Sequence, residues 1–316
     1  MNLYFSIDVS VCRRYANLGR RLIGLGMNKD KSSGWKAYFV KQSDPKLSEY
    51  KNEIAKAACV VVGADVMRLC PAVYKVLCAA IRRAPCKSIL CIGDMVPAVM
   101  ASAKSGPFDL VIGTAGYRLP LYTTEPAVYM AHLALVRPVT LAPQIKVFVP
   151  MFHGCAVGSH RPTRTTVGFY PRRRALGLPL VNHPHVVFQT REVLGDDFQK
   201  TLGSYLACVT AVPSNDQPNL ICKLWEIMAA GSLLIADTRP VTNVFKTLGF
   251  VHGVHYLETT PETIVETVEY VVDPHNRAAI NKMRAAGHDE VRAHHQPKHR
   301  IDQYNYLVAK VTKEAA

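Results

Sequence analysis

The feature that most constrains the fold is an alternation, along the whole chain, between short apolar runs and stretches with helical hydrophobic spacing. Such runs are typical of strands buried on both faces of a parallel sheet, because the intervening helices cover both sides. In the N-terminal half we predict strands at residues 3–9, 35–40, 59–62, 88–92 and 108–112, and helices at 15–25 and 73–82.

The C-terminal half repeats this alternation, and a length of 316 residues is typical of two domains. The predicted strands are residues 165–169, 185–188, 205–212 and 233–237, and the predicted helices are 220–230, 261–271, 278–292 and 300–311. We therefore predict an α/β fold of two Rossmann-like, doubly wound lobes with a ligand cleft between them, at residues 1–150 and 151–316. A segment rich in Pro, Gly and His, at residues 138–161, is the predicted linker.

Composition argues against a membrane-spanning or secreted protein. The longest apolar runs, such as residues 57–64, are far shorter than the roughly 20 residues that cross a bilayer. The N-terminal basic pair follows the apolar stretch, which is the wrong order for a signal peptide. Nine cysteines without a Cys-X-X-Cys pair fit neither a disulfide framework nor a zinc site, so a reducing cytoplasm is expected. The sequence identifies no metal ligands and leaves a divalent-metal requirement undecided.

The net charge favours an anionic partner. Lys and Arg number 38 and Asp and Glu number 24, which gives 38 − 24 = +14. A basic surface attracts polyanions, of which nucleic acid is the commonest. The alternative interpretation is a basic protein without any polyanionic partner.

The most informative segment, residues 218–237, predicts a helix that ends at a glycine and leads into a buried strand. Lys223 and Glu226 are three residues apart and therefore share one face of this helix. A cation that neutralises phosphate and a carboxylate that binds both ribose hydroxyls suit a nucleotide diphosphate-sugar. The alternative is an intrahelical ion pair on a solvated face.

Two further segments end predicted strands with chemically active side chains. Residues 165–174 read Thr-Thr-Val-Gly-Phe-Tyr-Pro-Arg-Arg-Arg, and a guanidinium binds phosphate through a planar fork of donors. The alternative is a solvated basic run. Asp94 follows the strand at residues 88–92, where a carboxylate can act as general base on an acceptor hydroxyl. The alternative for Asp94 is a helix N-cap.

The helix–strand segment resembles the sugar-nucleotide site of GT-B glycosyltransferases, and in particular that of the DNA β-glucosyltransferases of T-even phages. In those phage enzymes an Arg-Val-Trp-Glu stretch is followed by Met-Ala and an apolar strand. This chain has Lys-Leu-Trp-Glu at residues 223–226 and then Met-Ala. Residues 87–97 are similar to the segment that holds the phage enzymes' catalytic base. Residues 165–174 resemble the segment with which those enzymes bind the diphosphate of the donor. Lys223 stands where the phage enzymes have an arginine. The arginines at residues 172–174 are adjacent, whereas the diphosphate-binding arginines of the phage enzymes are farther apart in sequence.

The resemblance implies a GT-B fold with an N-terminal acceptor-side lobe and a C-terminal nucleotide-sugar lobe that ends in a helix. It implies Asp94 as the catalytic base. The donor-binding residues that it implies are Arg172, Arg174, Lys223, Glu226 and, for the nucleobase, Val193.

The expected reaction is inverting transfer of a sugar, expected to be glucose, from a UDP-sugar such as UDP-glucose. The expected acceptor is a hydroxymethylated pyrimidine, such as hydroxymethylcytosine, in double-stranded DNA. Candidate DNA contacts are Arg13, Arg14, Lys104 and Arg118, in loops that follow strands or flank Asp94. The expected state is a monomer without membrane contact, in the host cytoplasm for a phage-encoded enzyme. Two alternatives are a GT-B enzyme that acts on a cell-surface glycan or small molecule, and a non-enzymatic nucleic-acid binder.

Overall fold

A computed structural model describes residues 1–7, 35–41, 44–92, 106–113, 127–129, 138–139, 142–150, 171–189, 193, 195–212 and 220–313. The chain divides into two units by its internal contacts. The first unit comprises Met1–Ala131 and Pro297–Ala316, and the second comprises His132–Gln296.

The first unit contains a six-stranded sheet in which every adjacent pair of strands is parallel. Its strands lie in the order β2-β1-β3-β4-β5-β6. They are β1 Asn2–Ile7, β2 Trp35–Val40, β3 Cys59–Gly63, β4 Lys87–Ile92, β5 Leu110–Gly113 and β6 Ala127–Tyr129. The helices described in this unit are α1 Leu47–Ile54, α2 Ala64–Leu69, α3 Pro71–Ile81 and α10 Pro297–Lys313.

Hydrophobic patterning explains these elements. Every residue of β3 is buried, as expected for a central strand of a parallel sheet. Burying the side chain of each of Val60, Val61 and Val62 stabilises the unit by about 1.5–3 kcal/mol. Helix α3 begins at Pro71, a residue favoured in the first helical turn, and its buried residues recur at helical spacing.

The second unit contains a five-stranded parallel sheet in the order β11-β10-β9-β7-β8. Its strands are β7 Gln144–Val149, β8 Val186–Phe188, β9 Tyr205–Ala211, β10 Leu233–Asp237 and β11 Tyr256–Glu258. Its described helices are α4 Pro171–Gly177, α5 Gly195–Gly203, α6 Cys222–Ala229, α7 Thr242–Thr247, α8 Ile264–Val272 and α9 Arg277–His294.

Both sheets have the strand order of doubly wound folds, so the predicted fold class is confirmed. The direction of winding reverses between β1 and β3 in the first sheet and between β7 and β9 in the second. Ligands of such folds bind beyond the carboxyl ends of the strands at this reversal.

The predicted glycine stop after α6 is confirmed. Gly231 has φ +79°, a left-handed conformation that L side chains rarely adopt. Its N–H donates to the carbonyl of Met228 at 2.9 Å. A Cβ atom at this position would lie 3.0 Å from Cα of Val139, so both conformation and space favour glycine.

The predicted linker at residues 138–161 is wrong in part, because β7 lies within it. Three of the six residues of β7 are exposed, so its sequence Gln-Ile-Lys-Val-Phe-Val lacks a continuous apolar run. Prolines on both sides of β7 also favour the interpretation of this segment as a linker. Because β7 pairs with β8 and β9, it belongs to the second sheet, although the sequence-based boundary at residue 150 assigned it to the first lobe. The predicted elements at residues 15–25 and 165–169 lie outside the described residues.

No helix among the described residues is both long and apolar enough to cross a membrane.

Candidate functional site

The candidate site lies at the carboxyl edge of the second sheet. The chain that leaves β7 leads to α4, which carries Arg172 and Arg174, and the chain that leaves β9 leads to α6, which carries Lys223 and Glu226. Four of the predicted donor-binding residues therefore follow the two strands at which the winding reverses. The connecting residues 151–170 and 213–219 lie outside the described part of the chain.

Helix α6 presents a partly exposed face that contains Lys223 and Glu226, whereas the residues beside them are in the core. Both side chains are half-buried. The Nζ atom of Lys223 lies 5.9 Å from the ring centroid of Phe198 on α5, a distance at which a cation is attracted to an aromatic face. Leu224 and Ile227, by contrast, are fully buried. This environment differs from the fully solvated face of the alternative interpretation.

Trp225, which belongs to the Lys-Leu-Trp-Glu stretch that resembles the phage enzymes, is a core residue. It is fully buried, with ring centroids 5.8 Å from Phe245, 5.9 Å from Phe250 and 6.0 Å from His295, all in edge-on arrangements. Edge-to-face aromatic contacts of this kind stabilise a core beyond the area that they bury. The tryptophan therefore fixes the position of α6, and the polar face of the helix carries any contact with a ligand.

The three adjacent arginines occupy three different environments. Arg172 donates from Nη2 to Oδ1 of Asp237, the last residue of β10, and its side chain is 11% exposed. Arg173 is buried and donates from Nε to the carbonyl of Ala211, the last residue of β9, at 3.3 Å. Arg174 is exposed. Arg173 therefore binds a backbone carbonyl of the fold and Arg172 binds the carboxylate of Asp237, so diphosphate binding by Arg172 and Arg174 stays a prediction.

Asp237 joins two arginines at the carboxyl end of β10. Arg239 donates to it from Nε at 2.9 Å and from Nη2 at 3.0 Å, the bidentate geometry that suits a carboxylate. The Asp237 side chain is 1% exposed, whereas that of Arg239 is 47% exposed. The hydrogen bond to Asp237 is the main cause that raises the pKa of Arg239. The sequence patterns described above predict no role for Asp237 or Arg239, although an acid that ends a fully apolar strand is a signal for such a site.

A hydroxyl network continues along this edge from β10 to β11. The hydroxyls of Thr238 and Thr242 each donate to Oε1 of Glu258 at 2.7 Å. The backbone N–H of Glu258 in turn donates to Nδ1 of His252 at 2.9 Å. These bonds fix the ends of the two strands and satisfy the partly buried carboxylate, so we interpret Glu258 as a structural acid.

The roles of the remaining predicted site residues, like those of Arg172, Arg174, Lys223 and Glu226, stay predictions. Val193 is half-buried in the connection between β8 and α5. Asp94, Arg13, Arg14, Lys104 and Arg118 lie outside the described residues. Within the described part of the chain, no group of three or more His, Cys, Asp or Glu side chains is arranged to hold a metal ion.

Residues 158–305 match the family described as Glycosyl transferase-like. The match begins before α4 and extends through the helices and strands that carry Arg172, Lys223, Glu226 and Asp237. This part of the chain, just under half of its length, is therefore similar to a glycosyltransferase domain. A comparison with curated proteins finds no match.

Solved glycosyltransferases share the fold at low sequence identity. HepE of Anabaena in complex with UDP-glucose superposes with a TM-score of 0.58 and 10% identity, over 99% of this chain and 99% of that chain. A glycosyltransferase from Rickettsia africae ESF-5 gives 0.56 and 10%, over 99% and 98%. The pneumococcal O-GlcNAc transferase GtfA in complex with UDP and GlcNAc gives 0.50 and 11%, over 87% of this chain, which spans 61% of the GtfA chain. The two Rossmann-like units thus have the GT-B fold.

Proposed function

We propose that this protein transfers a hexosyl group from a UDP-sugar to a hydroxyl of a glycan or a small molecule. The observation that carries the proposal is the glycosyltransferase match over residues 158–305, which includes the polar face of α6 after β9. HepE and GtfA, which share the fold, are described in complex with UDP-glucose and with UDP and GlcNAc respectively. These descriptions support a UDP-sugar as the donor class.

The donor would be held by charges on both sides of the β7–β9 reversal. Arg172, Arg174 and Lys223 would stabilise the negative charge that grows on the departing diphosphate. Glu226 would accept hydrogen bonds from the ribose hydroxyls, and backbone groups at Val193 would contact the nucleobase. Because lysine is a point charge, Lys223 would bind phosphate without the bidentate geometry of an arginine.

The chemical step that we propose is a direct displacement. The acceptor oxygen attacks the anomeric carbon, the bond from that carbon to the diphosphate oxygen breaks, and the acceptor proton passes to the Asp94 carboxylate. Attack from the side opposite UDP inverts the anomeric configuration. Closure of the site would exclude water and so prevent hydrolysis of the donor.

The chemical class of the acceptor is the more specific part of the proposal. The net charge of +14 favours DNA over a neutral glycan, so hydroxymethylated DNA is the second candidate. Its base would be flipped out of the duplex, and its phosphates would be bound by Arg13, Arg14, Lys104 and Arg118. Against DNA stands the description of the related structures, since none of the three named above is described as modifying DNA. A glycan or small-molecule acceptor therefore fits the related proteins better.

A transfer assay with UDP-glucose separates these acceptors. The panel contains hydroxymethylcytosine DNA, unmodified DNA of the same sequence and simple glycans, and each is tested at low and moderate salt. Glycan transfer with little salt dependence supports the main proposal. Transfer only to hydroxymethylated DNA, with binding that falls at a log–log slope of about −0.9 per phosphate contact, would establish the second candidate instead.

A further inference from the structure

A cavity of about 540 Å³ lies at the amino edge of the second sheet. It is lined by His185, which precedes β8, by three residues at the end of α8 and by three in the turn after it: Glu269, Tyr270, Val272, Asp273, Pro274 and Asn276. Because all strands of this sheet are parallel, this edge is opposite to the carboxyl edge where Asp237 and Arg239 lie. The cavity is therefore separate from the candidate donor site, and its size is within the usual range for small-molecule sites.

An exposed aromatic ring and two apolar residues form part of the lining. Tyr270 is 41% exposed although it lies on a helix whose other face is packed in the core. Val272 and Pro274 contribute further apolar surface. The Nδ2 atom of Asn276 donates to the carbonyl of Tyr270 at 3.0 Å, which ties the turn to the helix end. The ring is thus held on a fixed backbone beside the cavity.

The carboxylates of Glu269 and Asp273 provide hydrogen-bond acceptors in the cavity, and a histidine already orients each of them. Nδ1 of His183 accepts the backbone N–H of His185 at 3.3 Å, so Nε2 carries the ring proton and donates to Oε1 of Glu269 at 2.9 Å. Oδ1 of Asp273 binds both the N–H and the ring Nδ1 of His275, at 2.9 and 2.8 Å. These bonds lower the pKa of Asp273, so it stays ionised. Within the described residues, Oε2 of Glu269 and Oδ2 of Asp273 accept no hydrogen bond.

The two carboxylates and the exposed aromatic ring together limit which class of ligand can bind in the cavity. An anion would be repelled by the two carboxylates, and an entirely apolar ligand would desolvate them without compensation. The described residues supply no three-ligand metal cluster. A pyranose ring has one face of C–H groups, which stacks on an aromatic ring, and several hydroxyls, which donate to carboxylates that are already oriented.

We propose that this cavity is a second carbohydrate site, which binds a pyranose unit of a glycan by stacking on Tyr270 and by hydroxyl hydrogen bonds to Glu269 and Asp273. The site is non-catalytic and lies at the edge opposite to the candidate donor site. The proposal does not depend on the transfer reaction, since it concerns binding alone.

Saturation-transfer NMR on the full chain tests this proposal. The probes are methyl α-glucoside, N-acetylglucosamine and maltose, with excess UDP to occupy any donor site and n-butylammonium as a cationic comparison. At least one saccharide should bind, and Tyr270→Ala should weaken it about tenfold, as expected for loss of a stacking contact. Asp273→Asn should weaken it similarly, while the asparagine oxygen still accepts the His275 N–H. Tyr306→Ala is the matched control, because Tyr306 is 68% exposed on α10 of the first unit.

Three results would overturn the proposal. One is the absence of saccharide binding across the panel, and another is saccharide binding that Tyr270→Ala leaves unchanged. The third is displacement of the saccharide by n-butylammonium at equal concentration, which would make the cavity a cation site. Failure of UDP binding in the same samples would count against the proposed transferase function and not against this site.

Discussion

The buried carboxylate at the end of β10 allows a prediction whose magnitude follows from the structure. Asp237→Asn removes a negative charge that two arginines share, while it keeps the shape of the side chain. The Arg239 pair is 47% exposed on the arginine side, so its loss should cost at most about 1 kcal/mol. Arg172 is 11% exposed, so neutralising Asp237 weakens the charge compensation of a nearly buried cation.

Breaking a buried ion pair by removing one partner costs about 3–5 kcal/mol, and the oxygen that asparagine retains offsets part of this cost. We therefore expect Asp237→Asn to lower the free energy of unfolding by about 3 kcal/mol. The control variant Arg239→Gln should cost about 1 kcal/mol or less, because only the half-exposed pair is lost.

Urea unfolding followed by tryptophan fluorescence measures both values. The chain has two tryptophans, and in a Trp35→Phe background the signal reports only Trp225, which is fully buried in the second unit. A loss below about 0.5 kcal/mol for Asp237→Asn would refute the reasoning. Equal losses for the two variants would refute it as well, because the burial of Arg172 would then have no energetic consequence.

Three further predictions concern the site and the core. Glu226→Ala should weaken UDP binding by about 1–3 kcal/mol in calorimetry, and an unchanged affinity in the folded variant would remove Glu226 from the donor site. Asp94→Asn should retain UDP affinity but lose about 10²–10⁴-fold in transfer, whereas undiminished transfer would show that Asp94 is not the base. Burial raises the pKa of Cys208 from 9.0 to about 12, so its stabilising contribution is complete below pH 9 and is lost as the pH rises towards 12. Cys208→Ala should therefore reduce the fall in unfolding free energy across that range by about 1.4 kcal/mol per pH unit, and an identical pH profile in denaturant titrations would contradict this.

Much of the fold could be predicted because the strands of a parallel sheet are buried on both faces. The predicted strand at residues 233–237 coincides with β10, and that at 35–40 coincides with β2. Strand β7 was missed because half of it is exposed, so it carries neither a continuous apolar run nor a clear alternation. Because only one end of β7 is buried, its sequence pattern is similar to that of a loop between prolines.

Only the part of the candidate site that depends on helical spacing could be predicted from the sequence. The shared face of Lys223 and Glu226 follows from their three-residue separation, and the structure retains it. The contact between Arg172 and Asp237 joins residues 65 positions apart, and no local pattern encodes it. The sequence could likewise not distinguish the buried Arg173 from its neighbours, because that difference depends on a carbonyl at the end of β9.

We propose that the second unit binds the diphosphate of a UDP-sugar through the polar face of α6. The most direct test is isothermal titration of the full chain with UDP and with uridine, repeated with Lys223→Ala. We expect saturable binding of one UDP per chain, tighter than that of uridine, and a smaller difference between the two in Lys223→Ala, because Arg172 and Arg174 would still contact the diphosphate. Absence of UDP binding, or a preference for UDP over uridine that Lys223→Ala leaves intact, would contradict it.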